Sequence, residues 1–123
     1  MTIRQMCDAY GVTPRTLRFY EAKELLFPVR QGTRRLFTAR DRARLTLILR
    51  GKRYGFSLED IRQLLDMYDQ DGNDERQVRE AQALAAERLS AMEMERADLD
   101  ARIAELRAVI ADSTRWRDTS LAS

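Results

Sequence analysis

Only one cysteine, Cys7, and no histidine occur in the 123 residues. One cysteine cannot close an intrachain disulfide. A buried metal centre needs several thiolate or imidazole ligands, and they are missing. Catalytic pairs in which histidine activates a nucleophile are excluded for the same reason. The carboxylates form no paired arrangement that suggests a cleft, so neither an enzyme, nor a metal, nor a cofactor is expected. Long apolar runs are lacking too. None approaches the roughly 20 residues of a membrane span, and the start of the chain shows no apolar signal-peptide core. The expected location is the cytoplasm, with no membrane partner.

What remains is a chain with 44% hydrophobic and 34% charged residues, a balance that suits a folded, helix-rich protein. Its net charge of +2 conceals an asymmetry. Residues 1–65 hold 14 Lys/Arg against 6 Asp/Glu, a net of +8; residues 66–123 hold 8 against 14, a net of −6. A basic head on an acidic tail points to a polyanionic partner for the head.

Capping signals divide the head. Thr2 with Gln5 reads as a capping box that opens a first helix, with Ile3, Met6 and either Ala9 or Tyr10 facing inward. Gly11 ends it. Thr13 caps a second helix over about 14–23, with Pro14 in the first turn where its missing N–H costs nothing. Two short helices across a tight Gly11–Val12 turn form a helix-turn-helix. Pro28 and Gly32 then break helix, and Arg34–Phe37 alternates like a strand, which predicts a small β-wing with its tip near Gln31–Thr33. Thr38 and Asp41 open a third helix, to about Tyr54. Its apolar Leu45–Leu49 stretch places it at the centre of the core, and Gly55 stops it. Ser57 and Asp60 open a fourth, to about Tyr68, with Leu58, Ile61, Leu64 and Leu65 inward.

After a polar loop at 69–73, Asp74 and Gln77 signal a last helix, expected over about 75–113, where neither Gly nor Pro occurs. Its apolar seam runs Val78, Ala85, Leu89, Met92, Leu99, Ile103, Leu106 and Ile110, in heptad steps interrupted by Gln82 and Arg96. Such a helix, on the order of 55 Å at 1.5 Å per residue, cannot bury its seam on a head of about 70 residues. It needs a partner, most simply a second copy of the chain. The expected organisation is a DNA-binding head at 1–70, a dimerisation helix at 71–113 and a tail at 114–123. Trp116 in that tail caps the coiled coil, packs on the partner's head or lines a ligand pocket.

The expected work of the head falls on three basic clusters. The second helix carries Thr13, Arg15, Thr16, Arg18 and Tyr20. Leu17 faces the core, while Arg15, Thr16, Arg18 and Tyr20 reach outward to base edges and phosphates. The wing adds Arg30, Arg34 and Arg35, placed to grip the sugar–phosphate backbone or the minor groove. Lys52 and Arg53 close the third helix. Any one of these cations alone reads as a solubilising charge. Three clusters on separate elements of one small head point to double-stranded DNA. Packing of Arg18 and Tyr20 within the head is the alternative for those two.

The run Thr13–Glu21, then Leu25-Leu26 with Pro28, Arg35-Leu36-Phe37, and Gly55–Ile61 resembles the MerR family of bacterial regulators over residues 2–66, in order and in register. The stretch Leu47–Ser57 with Asp66–Asp69 further resembles the branch that controls leucine and isovalerate degradation. The resemblance implies a mainly α fold: a winged helix-turn-helix head followed by an antiparallel coiled-coil dimerisation helix. It also implies a homodimer on a promoter pseudo-palindrome that bends and untwists the DNA for RNA polymerase. Arg15, Arg18 and Tyr20 would contact DNA from the recognition helix, and Arg35 from the wing. The family often has tyrosine at the position of Arg34. Metal-sensing members carry cysteines at the start of the long helix and in the loop beyond it. This chain has none there, and Cys7 reads as a small buried residue. Large drug-binding members have an extra domain for which the sequence leaves no room. The implied effector is a small organic metabolite such as an acyl-CoA, or there is none. The rivals are an effector-free architectural protein of excisionase type and a protein-interaction adaptor.

Overall fold

A computed structural model describes residues 1–69 and 75–122, with side chains over 1–67 and 75–117. The elements are α1 (Ile3–Tyr10), α2 (Pro14–Ala22), β1 (Val29–Gln31), β2 (Arg34–Leu36), α3 (Ala39–Tyr54), α4 (Leu58–Asp69) and α5 (Glu75–Ala122). The fold is mainly helical, with a two-stranded wing and a C-terminal helix. No helix among the described residues is long and apolar enough to cross a membrane. The expected boundary at residues 70 and 71, most of the polar loop and the cap at Asp74 lie outside the described residues.

The caps form where the residue types demand them. Thr2 Oγ1 accepts from Gln5 N at 3.2 Å while Gln5 Oε1 accepts from Thr2 N at 2.8 Å. Thr38 and Asp41 make the same reciprocal box at the start of α3. Gly11 and Gly55, at φ of 65° and 84°, terminate α1 and α3 in the left-handed conformation that costs glycine nothing. The end of α2 uses the same device without a glycine. Glu24 sits at φ 58°, with its N–H on Glu21 O and that of Leu25 on Tyr20 O.

The core of the head comprises Met6, Leu17, Leu25, Leu26, Phe37, Leu45, Ile48, Ile61 and Leu65, joined by Tyr20. Ile3, Tyr10, Leu47, Leu49 and Leu58 pack against it half-buried, so α3 is central as expected. Of the two candidates on the first helix, Tyr10 takes the inner position, and its hydroxyl reaches Arg42 O at 3.3 Å; Ala9 is exposed. Helices α3 and α4 meet at Gly51, where an added Cβ would lie 2.7 Å from Ile61 Cγ1. Ile61 is β-branched and fully packed, so it has no free volume into which to move. Gly51→Ala is therefore expected to destabilise the head by about 1–2 kcal/mol, the gain in helix propensity being outweighed by overpacking. Urea denaturation checks this, and equal or higher stability would show that the α3–α4 contact is looser than described.

The wing hairpin pairs Val29 with Leu36, Arg30 with Arg35 and Gln31 with Arg34. Gly32 occupies the first position of its two-residue turn at φ 62°, as a II′ turn requires. The chain start adds a third edge to this hairpin. Met1 N donates to Phe37 O at 2.9 Å, Phe37 N donates to Met1 O at 2.6 Å, and Thr2 bridges to Leu36. The beginning of α1 is thereby fastened beside the wing.

Contacts divide the chain into two compact units, Met1–Leu84 and Ala85–Ser123. Helix α5 continues to Ala122, which corrects the expected end near residue 113. Polar composition alone does not stop a helix. Residues 114–122 contain neither Gly nor Pro, the two residue types with a large helical penalty. Thr114 instead returns its hydroxyl to Ile110 O at 3.0 Å. Ion pairs Arg79–Glu75, Arg76–Glu80 and Arg102–Asp98 decorate the helix. Along it Val78, Ala85, Leu89, Met92, Leu99, Ile103, Leu106 and Ile110 are all exposed in the single chain.

Candidate nucleic-acid interface

The helix-turn-helix is set by its second cap. Thr13 Oγ1 accepts from Thr16 N at 3.1 Å and lies 2.9 Å from Thr16 Oγ1, with Pro14 beginning the helix. The two hydroxyls expected at DNA thus have structural work in fixing the start of α2. From that start the outward positions follow. Arg15 and Arg18 are exposed, and Leu17 is buried.

Tyr20 requires a correction. Its side chain was expected to reach outward and is only 1% exposed, with its hydroxyl enclosed and unpartnered among the described residues. Three residues beyond Leu17 on a helix of 3.6 residues per turn, it shares the core face. The neighbouring Phe19 takes the exposed position instead, 5.7 Å from Lys23 Nζ. Lys52, from α3, places its ammonium 5.8 Å from the Tyr20 ring, which brings the third basic cluster alongside α2. Arg53 is exposed at the same helix end.

The wing arginines are organised by a residue outside the expected set. Arg30 and Arg35 face each other across the hairpin, an arrangement that repels when left alone. Glu21, projecting from α2, takes both: Oε1 accepts from Arg30 at 2.9 Å and Oε2 from Arg35 Nε at 2.7 Å. One carboxylate therefore ties the wing to α2. Burial raises the Glu21 pKa, but the two arginines outweigh it and hold the carboxyl below its ordinary 4.5. A depressed folded-state value contributes stability that is complete above the ordinary value and is lost as pH falls through the folded one. Glu21→Gln should therefore be less stable than the wild type at neutral pH, with the difference shrinking as pH falls below the ordinary carboxyl value of 4.5. Denaturation at a series of pH values checks it, and a gap that does not vary with pH would remove Glu21 from the coupling.

Two other features support the site from behind. Asp41 and Arg44 are both 2% exposed. Asp41 accepts from Phe27 N at 2.9 Å and from the amide and hydroxyl of Thr38 at 3.1 Å each. Arg44 Nε donates to Leu25 O at 2.7 Å, and its guanidinium lies 5.3 Å from the Phe27 ring centroid. Together they hold the 25–27 link between α2 and the wing. Arg62 closes the end of α2, donating to Lys23 O and Glu24 O. Sequence reasoning took Asp41 for a helix cap only, and it did not single out Glu21, Arg44 or Arg62. Charged residues in a chain where charge is common carry no local signal of burial.

Cys7 is half-buried against the core, and burial together with Asp8 pushes its thiol up. Among the described residues no group of three or more His, Cys, Asp or Glu side chains is placed to hold a metal.

Of the expected contact residues, Arg18, Arg34 and Arg35 line one concave surface between α2 and the wing. Arg15 lies nearer the start of α2, and Arg30 is exposed and paired with Glu21.

Comparison with known proteins agrees with this geometry. Residues 1–68 match the family model described as MerR HTH family regulatory protein, and residues 42–112 match the model described as MerR, DNA binding. The HTH-type transcriptional regulator ZntR of Escherichia coli K12 is 36% identical over 118 residues, covering 94% of this chain and 77% of ZntR. The transcription regulator PbrR691 of Ralstonia metallidurans CH34, solved in complex with lead(II), superposes with a TM-score of 0.68 at 28% identity, over 86% of this chain and 82% of that one. HiNmlR, a MerR family regulator lacking the sensor domain and solved on promoter DNA, superposes with a TM-score of 0.63 at 25% identity, over 84% of this chain and 77% of that one. With two family models that together span most of its length and a relative 36% identical over 94% of it, the chain belongs to the MerR family of DNA-binding transcriptional regulators.

Proposed function

We propose that the protein binds a palindromic promoter operator as a homodimer, distorts it, and thereby sets the access of RNA polymerase to catabolic genes. The observation that carries this reading is the convergence of Arg18, Arg34 and Arg35 on one face of the head. Arg15 and Arg53 are further exposed cations of the head, and Lys52 lies over the Tyr20 ring of α2. Arginines on a helix can read guanine edges, while those on a wing hold phosphates and fix the register. The dimer is supported by the exposed apolar residues of α5. Two heads related by a two-fold axis call for an inverted repeat.

The regulated genes in this proposal are those of branched-chain amino acid and acyl-CoA degradation, and the effector is a small organic metabolite. The resemblance of Leu47–Ser57 to the leucine and isovalerate branch supports the first. A chain with one cysteine and no histidine supports the second over a soft metal ion. Trp116 supplies an exposed aromatic surface beside Asp112, Ser113 and Arg117, suited to a flat organic group.

Selection of genomic fragments by the purified protein tests the reading. One inverted repeat within an over-long promoter spacer is expected. Recovery without sequence preference would replace it with an effector-free architectural role. Arg18→Ala should weaken operator binding by roughly ten- to a hundred-fold, the equivalent of about 1–3 kcal/mol for an arginine at a base edge. Titration at fixed salt measures this, and unchanged affinity would take Arg18 out of the interface.

A further inference from the structure

The cleft that gathers the wing and recognition-helix arginines has a fourth cation, contributed by α1. Its lining consists of Thr2, Ile3, Arg4, Arg18, Thr33, Arg34 and Arg35. Four arginines and two threonines line it, with no acidic residue among them. Arg35 is already committed to Glu21. Arg4, Arg18 and Arg34 are exposed and make no hydrogen bond or ion pair among the described residues. Three uncompensated positive charges facing one concavity repel each other, and an anion seated among them relieves that repulsion.

The position of Arg4 follows from the pairing of the chain start with the wing. Met1 and Thr2 pair with Phe37 and Leu36, and this places the first turn of α1 beside β2, where Arg4 lines one concavity with Arg34 and Arg35. The capping box then orients α1 so that Met6 is buried while Arg4 remains on the open side. Arg4 is thus carried by the same rigid framework that carries Arg34. Neither composition nor helical spacing pointed to it.

We propose that this cleft holds a backbone phosphate of the bound DNA and that Arg4 is one of its ligands. The proposal rests on the DNA-binding role of the head. The occupant is a phosphodiester of the duplex because the cleft continues into Arg18 of the recognition helix and Arg34 of the wing, the two elements that straddle the edge of a groove. A contact to phosphate carries no sequence information. Arg4 therefore adds affinity to operator and unrelated DNA alike and adds to the salt dependence of both.

The test is a salt titration of binding to the operator and to an unrelated duplex, using the full-length protein and its Arg4→Ala and Arg4→Lys variants. Arg4→Ala should weaken binding to both duplexes by about five-fold at low salt and reduce the slope of log K against log[salt] by about 0.9, the value for one lost phosphate contact. Arg4→Lys should keep most of the slope, because the contact requires charge more than fork geometry. Arg4 is exposed, so thermal melting of the variants should match the wild type.

Unchanged affinity and slope in Arg4→Ala would overturn the proposal. So would a loss confined to the operator with the slope intact, which would make Arg4 a base-reading residue. If inorganic phosphate raised the melting temperature of the wild type but not of Arg4→Ala, while DNA binding stayed equal, the cleft would be a site for a free anion and the proposal would fall. Absence of salt-dependent binding by the wild type would be a different failure, that of the DNA-binding role itself.

Discussion

Leu99→Asp is expected to turn the protein into a monomer at micromolar concentration and to abolish cooperative binding to an inverted repeat. Leu99 is 49% exposed in the single chain and lies in a seam with Met92, Ile103 and Leu106, which are 39%, 39% and 60% exposed. Full burial of a leucine side chain contributes about 1.5–3 kcal/mol. In a symmetric dimer the substitution acts twice. It also puts two carboxylates into an apolar interface, each costing several kcal/mol more without a partner. The dimer dissociation constant should rise by at least about four orders of magnitude, since every 1.4 kcal/mol is a factor of ten. Sedimentation measures the association directly. The head should be unaffected, because Leu99 lies outside the Met1–Leu84 unit and the core residues are all in the head. A dimer that survives Leu99→Asp would show that the α5 seam is not the interface. A control at Met94, which is 74% exposed and outside the heptad positions, should leave the dimer intact.

The second large effect is expected within the head. Asp41→Ala should lower its stability by about 3 kcal/mol, the sum of a lost cap and of buried donors left without an acceptor. Asp41 is 2% exposed and accepts three hydrogen bonds, from Phe27 N, Thr38 N and Thr38 Oγ1. Removing it leaves the Phe27 amide partly buried and unbonded and opens the capping box of α3. The 25–27 link loses its bond at Phe27 and keeps those at Leu25, from Arg44 Nε to Leu25 O and from Leu25 N to Tyr20 O. The wing begins two residues after Phe27, so its order should suffer with the stability. Calorimetry gives the first effect and amide exchange in the hairpin the second. Asp41→Asn should recover part of the loss, because an amide oxygen still accepts from Phe27 N. A variant as stable as the wild type would mean that water or a shifted loop replaces the carboxylate.

Local chemistry made much of the head legible. Thr2 with Gln5, Thr13 before Pro14, and Thr38 with Asp41 are short-range capping signals, and each marks a helix start in the structure. Gly11, Gly32 and Gly55 all adopt positive φ, where other residues are strained. The Tyr20 expectation failed because an amphipathic tyrosine suits either face of a short helix. The depth of the surrounding core decides between them, and depth is not a local property. The end of α5 was placed too early because a polar stretch was taken for a stop.

Thus periodicity, caps and breakers within a few residues of one another were enough to establish a helix-turn-helix, a small wing and a heptad-patterned helix, since each depends on backbone geometry and neighbouring side chains. The joining of Arg30 and Arg35 by Glu21, the burial of Asp41 and Arg44, and the meeting of Arg4 with Arg18 and Arg34 depend on residues 9 to 30 or more positions apart. No spacing rule encodes such meetings. They arise when the hairpin folds back on α2 and the chain start pairs with Leu36 and Phe37, so the electrostatic character of the interface is a consequence of packing.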